Sequence, residues 1–223
     1  MLFRSDTQIA KRLLRDSYPL ILAGIFLMIQ ARIDQVMLKT LIGNRELGYY
    51  SAALRLIEAL GFLPTIFVGS LFPAIINSKG SSQELYEIRL SQLYRLMMAI
   101  FLISATPIFL FGNWIISIVY KSAFASAGPL LSLMSSRLLF TNFGVARNAY
   151  LTAENRTGYA LITMIVGAIL NASLNFLLIP KYQGNGAIFA ALISFTFSTF
   201  LIDFLHPPNQ KNAARMLKAL FFA

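Results

Sequence analysis

Residues 19–76 read PLILAGIFLMIQARIDQVMLKTLIGNRELGYYSAALRLIEALGFLPTIFVGSLFPAII. Two apolar runs, each long enough to cross a bilayer, are joined by the polar turn GNRELG at 43–48. A hydrocarbon core ~30 Å thick takes roughly 20 predominantly apolar residues per helix. The stretch therefore reads as a helical hairpin through a membrane. Both runs carry charges well inside their ends: Arg32 and Asp34 on the first, Arg55 and Glu58 on the second. An ionised side chain at mid-bilayer costs at least ~2.5 kcal/mol on insertion scales. A chain keeps such groups when they pair or face a polar cavity, so the hairpin is the expected functional centre.

Counting outward from the turn places Asp34 level with Arg55, and Arg32 level with Glu58. Arg55 and Glu58, three apart, share a helix face. Arg32 and Asp34, two apart, point in different directions, so the four cannot meet in one plane on straight helices. Two roles stand open. The groups are cross-helix ion pairs that hold the hairpin together, or the arginines bind an anionic headgroup while Asp34 or Glu58 binds a coupling cation or proton.

The rest of the chain repeats the apolar pattern. Six spans are expected at about 17–42, 48–76, 89–111, 128–152, 158–180 and 186–205, in one all-α polytopic membrane domain covering 1–223. Residues 1–16 read as a mixed interfacial helix. Pro64 and Pro73 fall in the second span, where proline kinks a helix. The piece WIISIVYKSAF, from Trp114, is too short to span, and Trp114 and Tyr120 suit an aromatic belt at the interface. The basic amphipathic tail 206–223 is expected to lie along the membrane surface.

Composition agrees with a membrane protein and excludes several other classes. Hydrophobic residues make up 57% and charged residues 13%, against about 25% charged in soluble domains. Mean hydropathy is +0.66. There is no cysteine, hence no disulfide framework, and a single histidine, His206, hence no histidine metal cluster. A net charge of +10 fits cytoplasmic loops and anionic headgroups better than nucleic acid. The N-terminus lacks the pattern of a cleaved signal peptide. Six spans put both termini on one side. With that side inside, twelve basic residues, Arg147 among them, fall in inner segments and four (Lys39, Arg45, Lys121, Lys181) in outer ones. The bias points to cytoplasmic termini.

Arg137 lies about mid-depth in the fourth span, beside Ser135 and Ser136 and with no acid in its own span. It faces water or an anion, or takes a partner such as Glu58 from another helix. Asn171 and Asn175, four apart, read as hydrogen-bonding glue between helices. Gly158, Gly167, Gly184, Gly186, Ala187, Ala190 and Ala191 allow close packing of the last two spans. No Walker lysine motif, GxSxG or HExxH occurs, so neither a catalytic role nor a cofactor or metal is expected. Energy for transport would come from an ion gradient, the substrate's own gradient, or a partner that hydrolyses ATP.

The hairpin is similar to one in the polysaccharide and oligosaccharide-unit flippases (Wzx-type) of the multidrug/oligosaccharidyl-lipid/polysaccharide exporter superfamily. The matching segments are RIDQVML (Arg32–Leu38), GYYSAALRLIE (Gly48–Glu58), Pro64 and SLFPAI (Ser70–Ile75). LNASLNFLLIPKYQGNGAIFAAL (Leu170–Leu192) resembles the signature of that family's C-terminal half. The resemblance implies a fold of two six-helix lobes, MATE-like, around a cavity that opens alternately to each membrane face. It implies a polyprenyl-diphosphate-linked oligosaccharide as cargo, with Arg32, Arg55 and Arg137 holding diphosphate and sugars. It also implies coupling to H⁺ or Na⁺, with Asp34 and Glu58 as candidates. Only one lobe is present, resembling the C-terminal one. The missing half implies a fragment, or a partner that is a separate N-terminal lobe or a second copy. The alternatives are a drug/cation antiporter of the same superfamily, and a non-transporting remnant or membrane interaction protein.

Overall fold

The computed structural model describes residues 7–222. Residues 1–6 of the expected interfacial helix and Ala223 of the tail lie outside the described residues. The chain is helical: α1 (Thr7–Leu41), α2 (Asn44–Glu58), α3 (Phe62–Ser81), α4 (Gln83–Tyr120), α5 (Ala127–Met134), α6 (Arg137–Ala153), α7 (Thr157–Phe195), α8 (Ile202–Phe204) and α9 (Gln210–Leu220). A π-helical turn, Thr196–Leu201, joins α7 to α8. No strand occurs among the described residues. Three stretches among them are long and apolar enough to cross a membrane: Asn44–Ser81, Gln83–Tyr120 and Thr157–Phe204. The protein is an all-helical membrane protein.

Where the chain bends follows from local chemistry. The expected kink at Pro64 is corrected to a break before it. Gly61 and Leu60 close a tight turn, their amides donating to Glu58 and Ile57 at 3.0 Å each. Pro64 then sits in the first turn of α3, where its missing N–H leaves no helical bond unmade. α4 bends at Phe111 (φ −113°, ψ 17°). The next residue, Gly112, lies so close to α5 that a Cβ would fall 3.0 Å from the Gly128 carbonyl oxygen.

α7 is a hairpin rather than one rod. Asn171 donates to the Ser194 hydroxyl at 3.2 Å across a separation of 23 residues, which on a straight helix would span ~35 Å. The chain doubles back at Gln183 (φ 53°, ψ −131°). Gly186 makes the reversal possible, because a Cβ there would lie 2.6 Å from the Leu178 carbonyl carbon. The Glu46 carboxylate of α2 accepts the freed Gly184 amide at 3.1 Å and so caps the returning half.

Two apolar cores hold these pieces. One joins Leu38, Tyr50, Ala53, Leu131, Met134 and Ile188. The other joins Leu90, Tyr94, Met97, Phe143, Phe200 and Met216. The tail expected along the membrane surface docks its apolar stripe on α4, burying Ala213, Met216 and Ala219. The buried Asn212 bonds the Tyr94 hydroxyl at 2.9 Å, and Arg215 pairs with Glu87 at 3.0 Å.

Candidate functional site

Helix α6 organises the site. Arg137, Thr141, Gly144 and Asn148 recur at helical spacing and form one stripe along it. Two clefts open beside that stripe. The first, about 360 Å³, is lined by Ala31, Leu54, Ile57, Glu58, Gly61, Arg137, Thr141 and Phe195. The second, about 290 Å³, is lined by residues that include Thr141, Gly144, Arg147, Asn148, Thr163, Phe195, Ser198 and Thr199. They share Thr141 and Phe195 and so adjoin. Ser198 and Thr199 belong to the π-helical turn, whose wider winding is a recurrent feature of functional sites.

Arg137 is buried. Its Nη1 donates to the Tyr50 hydroxyl at 2.9 Å and to Asp34 Oδ2 at 3.3 Å. The Tyr50 hydroxyl also donates to Asp34 Oδ2. The Phe195 ring lies 5.6 Å from the guanidinium carbon, a cation–π contact. The expected pairing of Asp34 with Arg55 is thus corrected: Asp34 belongs to Arg137. Glu58, offered as a partner for Arg137, lines the same cleft but pairs with Arg32 at 3.1 Å. The reason is azimuth. Arg32 and Asp34 stand about 200° apart at 100° per residue, so Arg32 faces Glu58 while Asp34 turns to Tyr50 and α6. On α2, Tyr50, Ala53, Leu54 and Ile57 make the buried face. Arg55 lies off it, is exposed, and makes no ion pair among the described residues. Arg32 and Glu58 are themselves partly open, with 57% and 38% of their side chains accessible.

Sequence reasoning missed the second charged group. Arg147, counted with an inner segment, is buried within α6 and holds Asp203 in a fork, Nε to Oδ2 at 2.8 Å and Nη2 to Oδ1 at 2.6 Å. Tyr159 donates to Asp203 Oδ1 at 3.0 Å, and Thr163 accepts from Arg147 Nη1 at 3.3 Å. The available signal was Asp203 itself, a lone acid in the apolar run FTFSTFLIDFL. Asn171 and Asn175 are both buried. Asn175 donates to Asn171 Oδ1 at 3.1 Å, which ties the two halves of α7 together through Ser194.

At the end of α6 a polar clasp gathers three elements. Lys79 pairs with Glu154 at 3.0 Å, and the Tyr86 hydroxyl donates to the same carboxylate at 2.8 Å. Burial favours the neutral acid at Glu154, but the hydrogen bonds from Lys79 and Tyr86 and the charge of Arg156 hold it below the usual carboxylate range. Among the described residues no cluster of three or more His, Asp or Glu could hold a metal ion. Neutral hydroxyls and amides beside ion-paired guanidiniums suit the binding of a polar, anionic molecule.

Comparison with known proteins adds independent information. Residues 2–79 match the family described as "Polysaccharide biosynthesis protein". The chain is 24% identical over 170 residues to the "Probable low-salt glycan biosynthesis flippase Agl15" of Haloferax volcanii. That alignment covers 75% of this chain and 36% of the flippase, so the chain matches well under half of that relative's length. No solved structure is significantly similar to the chain. A polysaccharide biosynthesis family and a glycan biosynthesis flippase both agree with the resemblance that the sequence motifs carry.

Proposed function

We propose that the chain is one six-span lobe of a flippase that carries polyprenyl-diphosphate-linked oligosaccharide across the cytoplasmic membrane, both termini facing the cytoplasm. The spans are α1, α2 with α3, α4, α5 with α6, and the two halves of α7, the second continuing through α8. The cargo's diphosphate meets Arg137 in the cleft. Arg32 and Arg55, on the open face of the hairpin, meet the cargo or a second lobe. Asp34 and Glu58 are the groups through which a cation or proton couples. Membrane lipids surround the lobe, and a separate N-terminal lobe or a second copy completes the cavity. The reading is carried by one observation: a buried guanidinium, Arg137, opens onto a cleft inside a helical membrane protein.

The experiment is binding by the chain in nanodiscs, with a polyprenyl-diphosphate oligosaccharide compared against the uncharged polyprenol. Saturable binding of the diphosphate lipid is expected, about tenfold weaker in Arg137→Gln, the value of one charge-assisted hydrogen bond. Equal binding of both lipids overturns the reading. In a translocation assay, Arg55→Ala is expected to slow transport while stability stays within ~0.5 kcal/mol, because the side chain is exposed. Full transport by Arg55→Ala removes Arg55 from the site.

A further inference from the structure

We propose that Arg147, Asp203 and Tyr159 form a second anion-binding station, and that the two adjoining clefts make a single track along α6 between it and Arg137. The ligand of the station is a phosphate or diphosphate group. Its chemistry repeats that of Arg137, Asp34 and Tyr50. In each case an arginine of α6 is backed by an aspartate and a tyrosine from other helices. In each case the aspartate is buried and lies outside the cleft lining, whereas the arginine lines it.

A guanidinium has five N–H donors. Asp203 takes one each from Nε and Nη2, and Thr163 takes one from Nη1. The second hydrogens of Nη1 and Nη2 are left for a ligand in the cleft. Asp203 thus acts as a positioning residue. It keeps the guanidinium oriented and leaves the pair nearly neutral, so an anion binds but is not trapped. Asn148, Ser198 and Thr199 line the same cleft and supply further donors.

The two stations are ten residues apart on α6, ~15 Å along its axis. Gly144 lies between them, and no atom within 4 Å stands where its Cβ would project. Two moderate sites in series, each weak enough to release, are what conduction of a charged group requires. The track rests on the lipid-diphosphate cargo proposed above. The second station does not, because it is read first with inorganic pyrophosphate.

The test uses the chain in phosphatidylcholine nanodiscs, titrated with inorganic pyrophosphate. Asp203→Asn unmasks Arg147 and is expected to tighten pyrophosphate binding about tenfold. Arg147→Gln combined with Asp203→Asn keeps a neutral hydrogen-bonded pair and is expected to lose that gain and the wild-type contribution of the station, with Arg137 intact. If Asp203→Asn alone fails to fold, the double variant against wild type still decides. Pyrophosphate binding unchanged in the double variant overturns the station. Competition by polyprenyl diphosphate, but not by phosphatidylglycerol, assigns the station to the cargo lipid; absence of competition overturns the track. Gly144→Leu fills the junction and is expected to stop translocation, and unimpeded translocation also overturns the track. An Arg137→Gln variant that binds the diphosphate lipid normally, with the Arg147 result intact, counts against the proposed function and not against the station.

Discussion

Replacing Asp34 by Asn tests the charge arrangement at its most exposed logical point. Asp34 is 1% accessible and accepts from Tyr50, from Arg137 Nη1 at 3.3 Å and from the Gln35 backbone N–H at 2.8 Å. The amide keeps an acceptor oxygen but removes the carboxylate that pairs with Arg137 among the described residues, Arg137 itself being 7% accessible. An orphaned buried charge of this kind costs about 3–5 kcal/mol, against roughly 5–15 kcal/mol of total stability for a typical domain. Arg137→Gln orphans the opposite charge and carries a similar cost. The double variant Asp34→Asn/Arg137→Gln leaves two neutral hydrogen-bonding groups and should recover about 2 kcal/mol of the summed losses. Tyr50→Phe leaves Asp34 and Arg137 in direct contact and should cost only about 1–2 kcal/mol. Denaturant unfolding in mixed micelles, run as a double-mutant cycle, reads these differences. Strict additivity, or Asp34→Asn as stable as wild type, refutes the claim that the buried carboxylate compensates Arg137.

Two further outcomes follow from packing and from the clasp. Gly186→Ala should destabilise the α7 hairpin by about 1–3 kcal/mol, because the added methyl meets the Leu178 carbonyl, whereas Gly144→Ala, which meets nothing, should be neutral or stabilising by up to ~1 kcal/mol in the same unfolding measurement. Glu154 has a folded pKa below the ordinary 4.5. Its stabilisation is therefore complete above the unfolded value and lost as pH falls below that value and through the depressed folded one. Glu154→Gln should flatten that part of the melting-temperature profile, and an unchanged acid limb in the variant speaks against the clasp.

Much of the architecture was legible without coordinates. The helical, apolar character of the long stretches follows from local composition and run length. The break at Gln183–Gly186 was visible as KYQGNG, a polar, glycine-bearing interruption between two apolar runs, although the positive φ there falls on Gln183 and the glycines serve close approach instead. The relative level of one pair was legible too: helix rise is constant, and Arg32 meets Glu58 where the count places them. The proline at 64 misled, because a residue that breaks a helix also starts one well, and only the preceding Gly61 turn separates the cases.

What the amino-acid string by itself determined was the all-helical, lipid-embedded class and each residue's position along its own helix. Which way each charge turns about its helix, and which third helix comes to meet it, is a packing outcome among distant segments. Asp34 finds Arg137 across 103 residues and Asp203 finds Arg147 across 56, distances at which no periodicity carries information. Only the assembled bundle decided that both acids stand behind arginines of α6, with the two clefts in front.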